Sequence, residues 1–99
     1  MNLQNIMKEA QKIQSEIQKA QQQLESEIFL GEASLVKVKI NGKKEVLEIS
    51  IDNKESLEKE DLELLEDMIV VAFNDAIKKV DKEKESKLGK YGNGLSGLL

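Results

Sequence analysis

The side chains of this chain that could do chemistry are chiefly carboxylates and lysines. It has no cysteine and no histidine, so the thiolate nucleophile, the commonest general base and the commonest transition-metal ligand are all missing. Glu60, Asp61, Glu63, Glu66 and Asp67 form the one cluster in which carboxylates could cooperate. An acid–base pair or a magnesium site needs carboxylates that converge in a cleft, whereas spacings of three and four along one helix face give only a row. There is no G-x-S-x-G, no glycine-rich phosphate loop and no nucleophile beside a base. The reading is of a protein that is not an enzyme, with no catalytic residue, no cofactor, no metal and no small-molecule substrate.

The lysines suggest binding instead. All 15 basic residues are lysine. Lys8, Lys12 and Lys19 lie in an N-terminal helical segment, Lys8 and Lys12 one turn apart, and Lys78, Lys79 and Lys82 lie near the end of a second. If the two helices pack antiparallel, the C-terminal lysines of the second approach the N-terminal half of the first and the groups merge into one basic zone. Such a zone could hold phosphates by charge and counterion release, without reading bases. A solvated lysine face is also ordinary for a helix, and the net charge of −4 argues mildly against nucleic acid. That average hides a segregation: residues 52–68 carry eight acids against Lys54 and Lys59, and the chain from Ile69 onward carries six lysines against four acids. The same gradient suits one helix macrodipole, with acids at its start and lysines at its end.

The elements that must position these groups follow from apolar spacing. Leu3, Ile6, Ala10, Ile13, Ile17, Ala20 and Leu24 alternate by three and four, a narrow heptad seam that predicts one long helix over about 2–26. Two readings stand: an arm packed along one other helix, or an ordinary amphipathic core helix. Ile28, Phe29 and Leu30 before Gly31 suggest a first strand, 27–32, against the competing reading of a helix continued to about Phe29. Ala33-Ser34 then turns the chain into a hairpin, 35–41 and 45–51, in which Val36, Val38 and Ile40 alternate with lysines before Asn41-Gly42, and Leu47, Ile49 and Ile51 alternate after it. An even loop keeps all six on one face. A four-residue loop, Asn41 to Lys44, is favoured because it sets Val38 opposite Leu47 and Val36 opposite Ile49. A two-stranded ribbon is marginal alone, so helices or a second copy must cover that face. Ser56 is a candidate cap for a second helix over about 59–84, carrying Leu62, Leu65, Ile69, Ala72, Phe73, Ala76, Ile77 and Val80 at helical spacing. The fold class is α+β, α-β-β-β-α, with two long helices flanking a three-stranded antiparallel meander.

With 99 residues the chain is expected to form one domain, 1–87, with a thin core, followed by a flexible glycine-rich C-terminal tail, 88–99, holding four glycines in twelve residues. No apolar run is long enough to span a bilayer and the N-terminus lacks the apolar core of a signal peptide, so a cytoplasmic protein without a membrane partner is expected.

The stretches IMKEAQKIQ from Ile6, SLVKVKING from Ser34, EISID from Glu48 and above all LEDMIVVAFNDAIKKV from Leu65 to Val80 resemble the YbaB/EbfC family of bacterial nucleoid-associated proteins. The likeness runs in order over roughly Ile6 to Val80. It implies a tweezers-like homodimer with sheets in the body and long helices as arms. It also implies double-stranded DNA as the partner, a cytoplasmic, nucleoid location, and a role in altering DNA conformation and influencing gene expression. By position, Lys8 and Lys19 fall where members tend to carry lysine, and Lys78 and Lys79 where members carry a basic pair after AFNDA. With Lys12 and Lys82, these make the candidate DNA-binding set. The link between Gly31 and Leu35 is shorter than is usual in the family, and arginine is absent where members often use it. Lysine keeps the phosphate charge contact but lacks the bidentate fork. The alternative is a small prefoldin-like chaperone or protein-interaction module, whose paired heptad helices would grip client chains and which would need exposed apolar residues at the helix tips.

Overall fold

A computed structural model describes residues 2–92. Its elements are α1 (Leu3–Ser26), β1 (Ile28–Ala33), β2 (Val36–Asn41), β3 (Val46–Ile51) and α2 (Leu62–Leu88), with short 3-10 turns at Lys54–Ser56, Lys59–Asp61 and Gly89–Tyr91. The α-β-β-β-α order read from the sequence is the order found. α1 starts where the Asn2 side chain accepts the Gln4 N–H at 3.0 Å. It stops at Glu27, whose extended backbone feeds β1, so the helix does not run on to Phe29; Phe29 is instead buried within β1.

The sheet is antiparallel in the order β1-β2-β3. Ser34 and Leu35 join β1 to β2, with Ser34 in the left-handed region at φ 51°. The hairpin register differs from the one expected. The Asn41 N–H donates to the Glu45 carbonyl at 3.1 Å, so the turn that this pair closes holds three residues, Gly42 to Lys44, not the expected four. The Lys44 N–H closes the turn on the Asn41 carbonyl at 2.9 Å, and Lys44 takes the left-handed φ of 66°. The Asn41 carboxamide holds this shape by accepting the N–H groups of Lys43 and Glu45 at 2.9 and 3.1 Å. An odd loop alone would split the apolar face, and a bulge between Val46 and Glu48 restores parity. Ile40 faces Val46, Leu47 is the extra residue, and Val38 and Val36 face Ile49 and Ile51.

α2 begins at Leu62, after a 3-10 turn in which the Asp61 carboxylate accepts the Glu58 N–H at 2.9 Å. Ser56 does not cap it; its hydroxyl bonds the Asn53 carbonyl. The helix runs past Lys84 to Leu88, because Leu88 is buried in the core and anchors the last turn. Leu88 to Tyr91 are therefore structured, and the rest of the expected tail, 93–99, lies outside the described residues.

α2 lies across β1 and β2 and barely reaches β3. Ala72, Ala76 and Val80 form the core with Phe29, Val36, Val38 and Ile40, and Leu24 and Leu88 extend it between the helices. Two glycines permit the close approaches. A Cβ at Gly31 would stand 2.7 Å from the Ala76 nitrogen, and one at Gly42 would stand 2.9 Å from the Glu25 Cα, so α2 rests on β1 and the hairpin turn tucks under the end of α1. The helices are antiparallel: Lys87 pairs with Glu27 at 3.0 Å, and the Tyr91 hydroxyl meets the Glu16 carboxylate at 3.5 Å. Residues 2–16 are all exposed, so among the described residues α1 continues alone past Tyr91 as an arm. The molecule measures 71 × 20 × 16 Å with a radius of gyration of 19.4 Å, against about 13 Å for a compact domain of this length.

Candidate nucleic-acid interface

The arm has two unlike faces. At about 100° per residue, Lys8, Lys12 and Lys19 fall within about 40° of one another, and Asn5, Ser15 and Gln23 share their side. Glu9 and Glu16 flank that face, Glu16 one turn from both Lys12 and Lys19 and about 40° round from Lys12. The seam of Leu3, Ile6, Ala10 and Ile13 occupies the opposite side. In the body the same seam is covered, with Leu24 buried and Ile17 and Ala20 packed on the core; along the arm it is bare, Leu3 being 69% exposed and Met7 beside it 56%. Among the described residues, none of Lys8, Lys12 and Lys19 has a carboxylate within ion-pair distance. Their charges are therefore available to an anionic partner.

The other three lysines are placed differently. Lys78 borders a shallow groove with Glu32, Val71, Asn74 and Asp75, beside β1. Lys79 donates to the Leu30 carbonyl at 2.6 Å and pairs with Asp75 at 3.4 Å. Asp75 also accepts the Glu32 N–H at 3.1 Å. That bond, and after it the charge of Lys79, holds the Asp75 carboxyl below its usual 3.8. Lys82 is exposed, one turn further on.

The single basic zone expected from antiparallel packing does not form. The helices are antiparallel, but Leu24 is level with Val80, Lys84 and Leu88. Lys8 therefore stands about 24 Å along the axis from that level, and Lys78 lies beyond it. Only Lys19 reaches the end of α2. There it borders an open cleft with Glu16, Gln23, Lys87, Lys90 and Tyr91. Lys90 rests over the Tyr91 ring, 5.2 Å from its centroid. Lys87 is held by Glu27 and Glu83 at 3.0 and 3.7 Å, and the Glu27 bond first raises its pKa above the usual 10.5. Lys87 and Lys90 lie outside the candidate set because the apolar spacing of the second helix gives no sign of continuing past Lys84. Carrying it through Leu88 in antiparallel register would have set them opposite Lys19.

The carboxylates of the acidic cluster lie in the 3-10 turn and first turns of α2. Among the described residues no group of three or more His, Cys, Asp or Glu could hold a metal ion, and no helix is long and apolar enough to cross a membrane.

These features define a class of small α+β protein in which a three-stranded antiparallel sheet carries two antiparallel helices, one of them projecting as a lysine-faced arm. A sequence profile of the YbaB/EbfC DNA-binding family matches residues 1–95, and the chain belongs to that family. It is 44% identical over 97 residues to a nucleoid-associated protein of Legionella pneumophila (strain Corby), covering 96% of this chain and 85% of that one. To a nucleoid-associated protein of Enterococcus faecalis it is 39% identical over 99 residues, covering 98% and 94%. The crystal structure of an uncharacterized Helicobacter pylori protein shares the fold, with a TM-score of 0.71 at 20% identity over 93% of this chain and 99% of that one.

Proposed function

We propose that this protein is a homodimeric, nucleoid-associated DNA-binding protein of the cytoplasm. It grips duplex DNA through lysine–phosphate contacts from its helical arms, alters the conformation of the duplex and thereby influences gene expression and nucleoid organisation. The observation that carries this reading is the lysine side of the α1 arm, where Lys8 and Lys12 rise about 6 Å apart and Lys19 follows at the base, none of them in an ion pair among the described residues. Lys78 and Lys82 provide a second, flanking contact. Lys79 contributes least, since Asp75 and the Leu30 carbonyl already hold its ammonium. The nucleoid-associated relatives and the DNA-binding family support the partner.

The dimer reading rests on β3. Ile49 and Ile51 face Val38 and Val36 across the strands, so they belong to the core side of the sheet; Ile51 packs on the core, yet Ile49 is 46% exposed. A second copy seated there buries Ile49 together with the exposed Val46 and Leu47. Binding of this kind depends on charge alone, so its log–log salt slope should be about −0.9 per phosphate neutralised. Titration of a labelled random-sequence duplex at rising salt tests it, and affinity that does not change with salt would contradict it.

One observation favours the second reading, a protein-interaction or chaperone-like module. The bare seam of Leu3, Ile6, Met7 and Ile13 is the apolar helix surface that a client chain would need. Suppression of a client's aggregation that competing DNA leaves intact would support that reading over the first.

A further inference from the structure

The sheet has two outer edges, and the fold treats them differently. On β1 the Glu32 N–H donates to the Asp75 carboxylate at 3.1 Å, and the Leu30 carbonyl accepts from the Lys79 ammonium at 2.6 Å. Leu30 and Glu32 are two positions apart, so their backbone groups point to the same side of the strand, the side away from β2. Asp75 and Lys79 lie one turn apart on α2 and pair at 3.4 Å. They reach the edge because Gly31, between Leu30 and Glu32, lets the Ala72–Ala76 turn of the helix rest against the strand. On β3, by contrast, no side chain among the described residues bonds a backbone group. Its sequence, VLEISI, carries a single charge.

An unpaired edge is a template for another strand, and proteins that leave one open assemble through it. We propose that Asp75 and Lys79 act as an edge guard, closing β1 to strand addition and leaving β3 as the one edge through which a second copy joins, so that assembly stops at two chains. The proposal rests on the homodimer reading above. A strand added at β1 would have to displace both side chains from the two backbone groups it needs, and would leave a carboxylate and an ammonium to find new partners. With both edges open, each dimer would keep two free β1 edges, and association would continue without closing.

The test is sedimentation of the full-length chain over a range of concentrations, wild type beside the double variant Asp75→Ala/Lys79→Ala. The wild type should level off at two chains. The variant should pass that mass by about twofold or more and keep rising with concentration. Adding Ile28→Lys, an exposed position on the same strand, should restore the wild-type plateau, because a lysine on an edge opposes pairing. A variant that levels off at two chains, with unchanged circular dichroism, overturns the edge guard and leaves the dimer standing. A wild type that stays a single chain overturns the dimer reading; the guard then stands if the variant associates where the wild type does not, and falls if it does not. If the double variant does not fold, amide exchange in the wild type decides: the Glu32 amide should be protected, and exchange at the rate of an exposed loop amide overturns the proposal.

Discussion

Gly31 lies under Ala76 with so little space between them that a Cβ at position 31 would stand 2.7 Å from the Ala76 nitrogen and 2.8 Å from its Cβ. That approach sets the height of α2 over β1. It also brings Asp75 to the strand edge, where its carboxylate accepts the Glu32 N–H.

Gly31→Ala should therefore destabilise the fold by about 3 kcal/mol, the upper part of the range for overpacking, because the Ala72 carbonyl oxygen and the Ala76 nitrogen, which would have to move, are both backbone. Urea denaturation followed by circular dichroism measures it. A midpoint equal to that of the wild type would mean that α2 does not rest on β1 as described.

The elements were legible in the sequence because each has its own period. The three-four spacing of Leu3 to Leu24 and the alternation of Val36, Val38 and Ile40 each admit one kind of element. The hairpin register was not legible, since it depends on the Asn41 carboxamide taking the Lys43 and Glu45 amides and on Lys44 adopting a left-handed φ in place of glycine. Lys78 and Lys79 are neighbours of one residue type, yet one borders an open groove and the other is bound to a strand edge. No local pattern separates them; only the placement of α2 over Gly31 does. The offset of the helices was hidden for a similar reason. It is fixed by the burial of Leu88, which stands among glycine-rich residues that read as a tail.

Asp75 should make stability depend on pH on the acid side. Its carboxyl holds a proton less readily in the fold than in the unfolded chain, chiefly through the Glu32 N–H. Its contribution is therefore complete well above 3.8 and is lost as the pH falls through its lower folded value. The wild type should be more stable than Asp75→Asn at neutral pH, and the difference should vanish as the pH falls below the carboxylate range. Urea midpoints of the two proteins at a series of pH values measure this; a constant difference would rule out the titration of Asp75 as its source.

Ile49→Glu should dissociate the proposed homodimer with little change in the stability of the single chain, because Ile49 is 46% exposed in the single chain. Sedimentation should show one chain for the variant and two for the wild type. A variant that remains a dimer would move the interface away from β3.

The central claim is that the lysine face of the α1 arm holds DNA. The most direct measurement is the affinity for a labelled random-sequence duplex, at two salt concentrations, of the wild type, of Lys8→Gln/Lys12→Gln/Lys19→Gln and of Lys78→Gln/Lys82→Gln. The arm variant should lose most of the affinity, and its log–log salt slope should fall by up to about 3, close to one for each phosphate contact removed. The α2 variant should lose less, and circular dichroism should be the same for all three. An arm variant that binds as tightly as the wild type, with the same salt slope, would contradict the account.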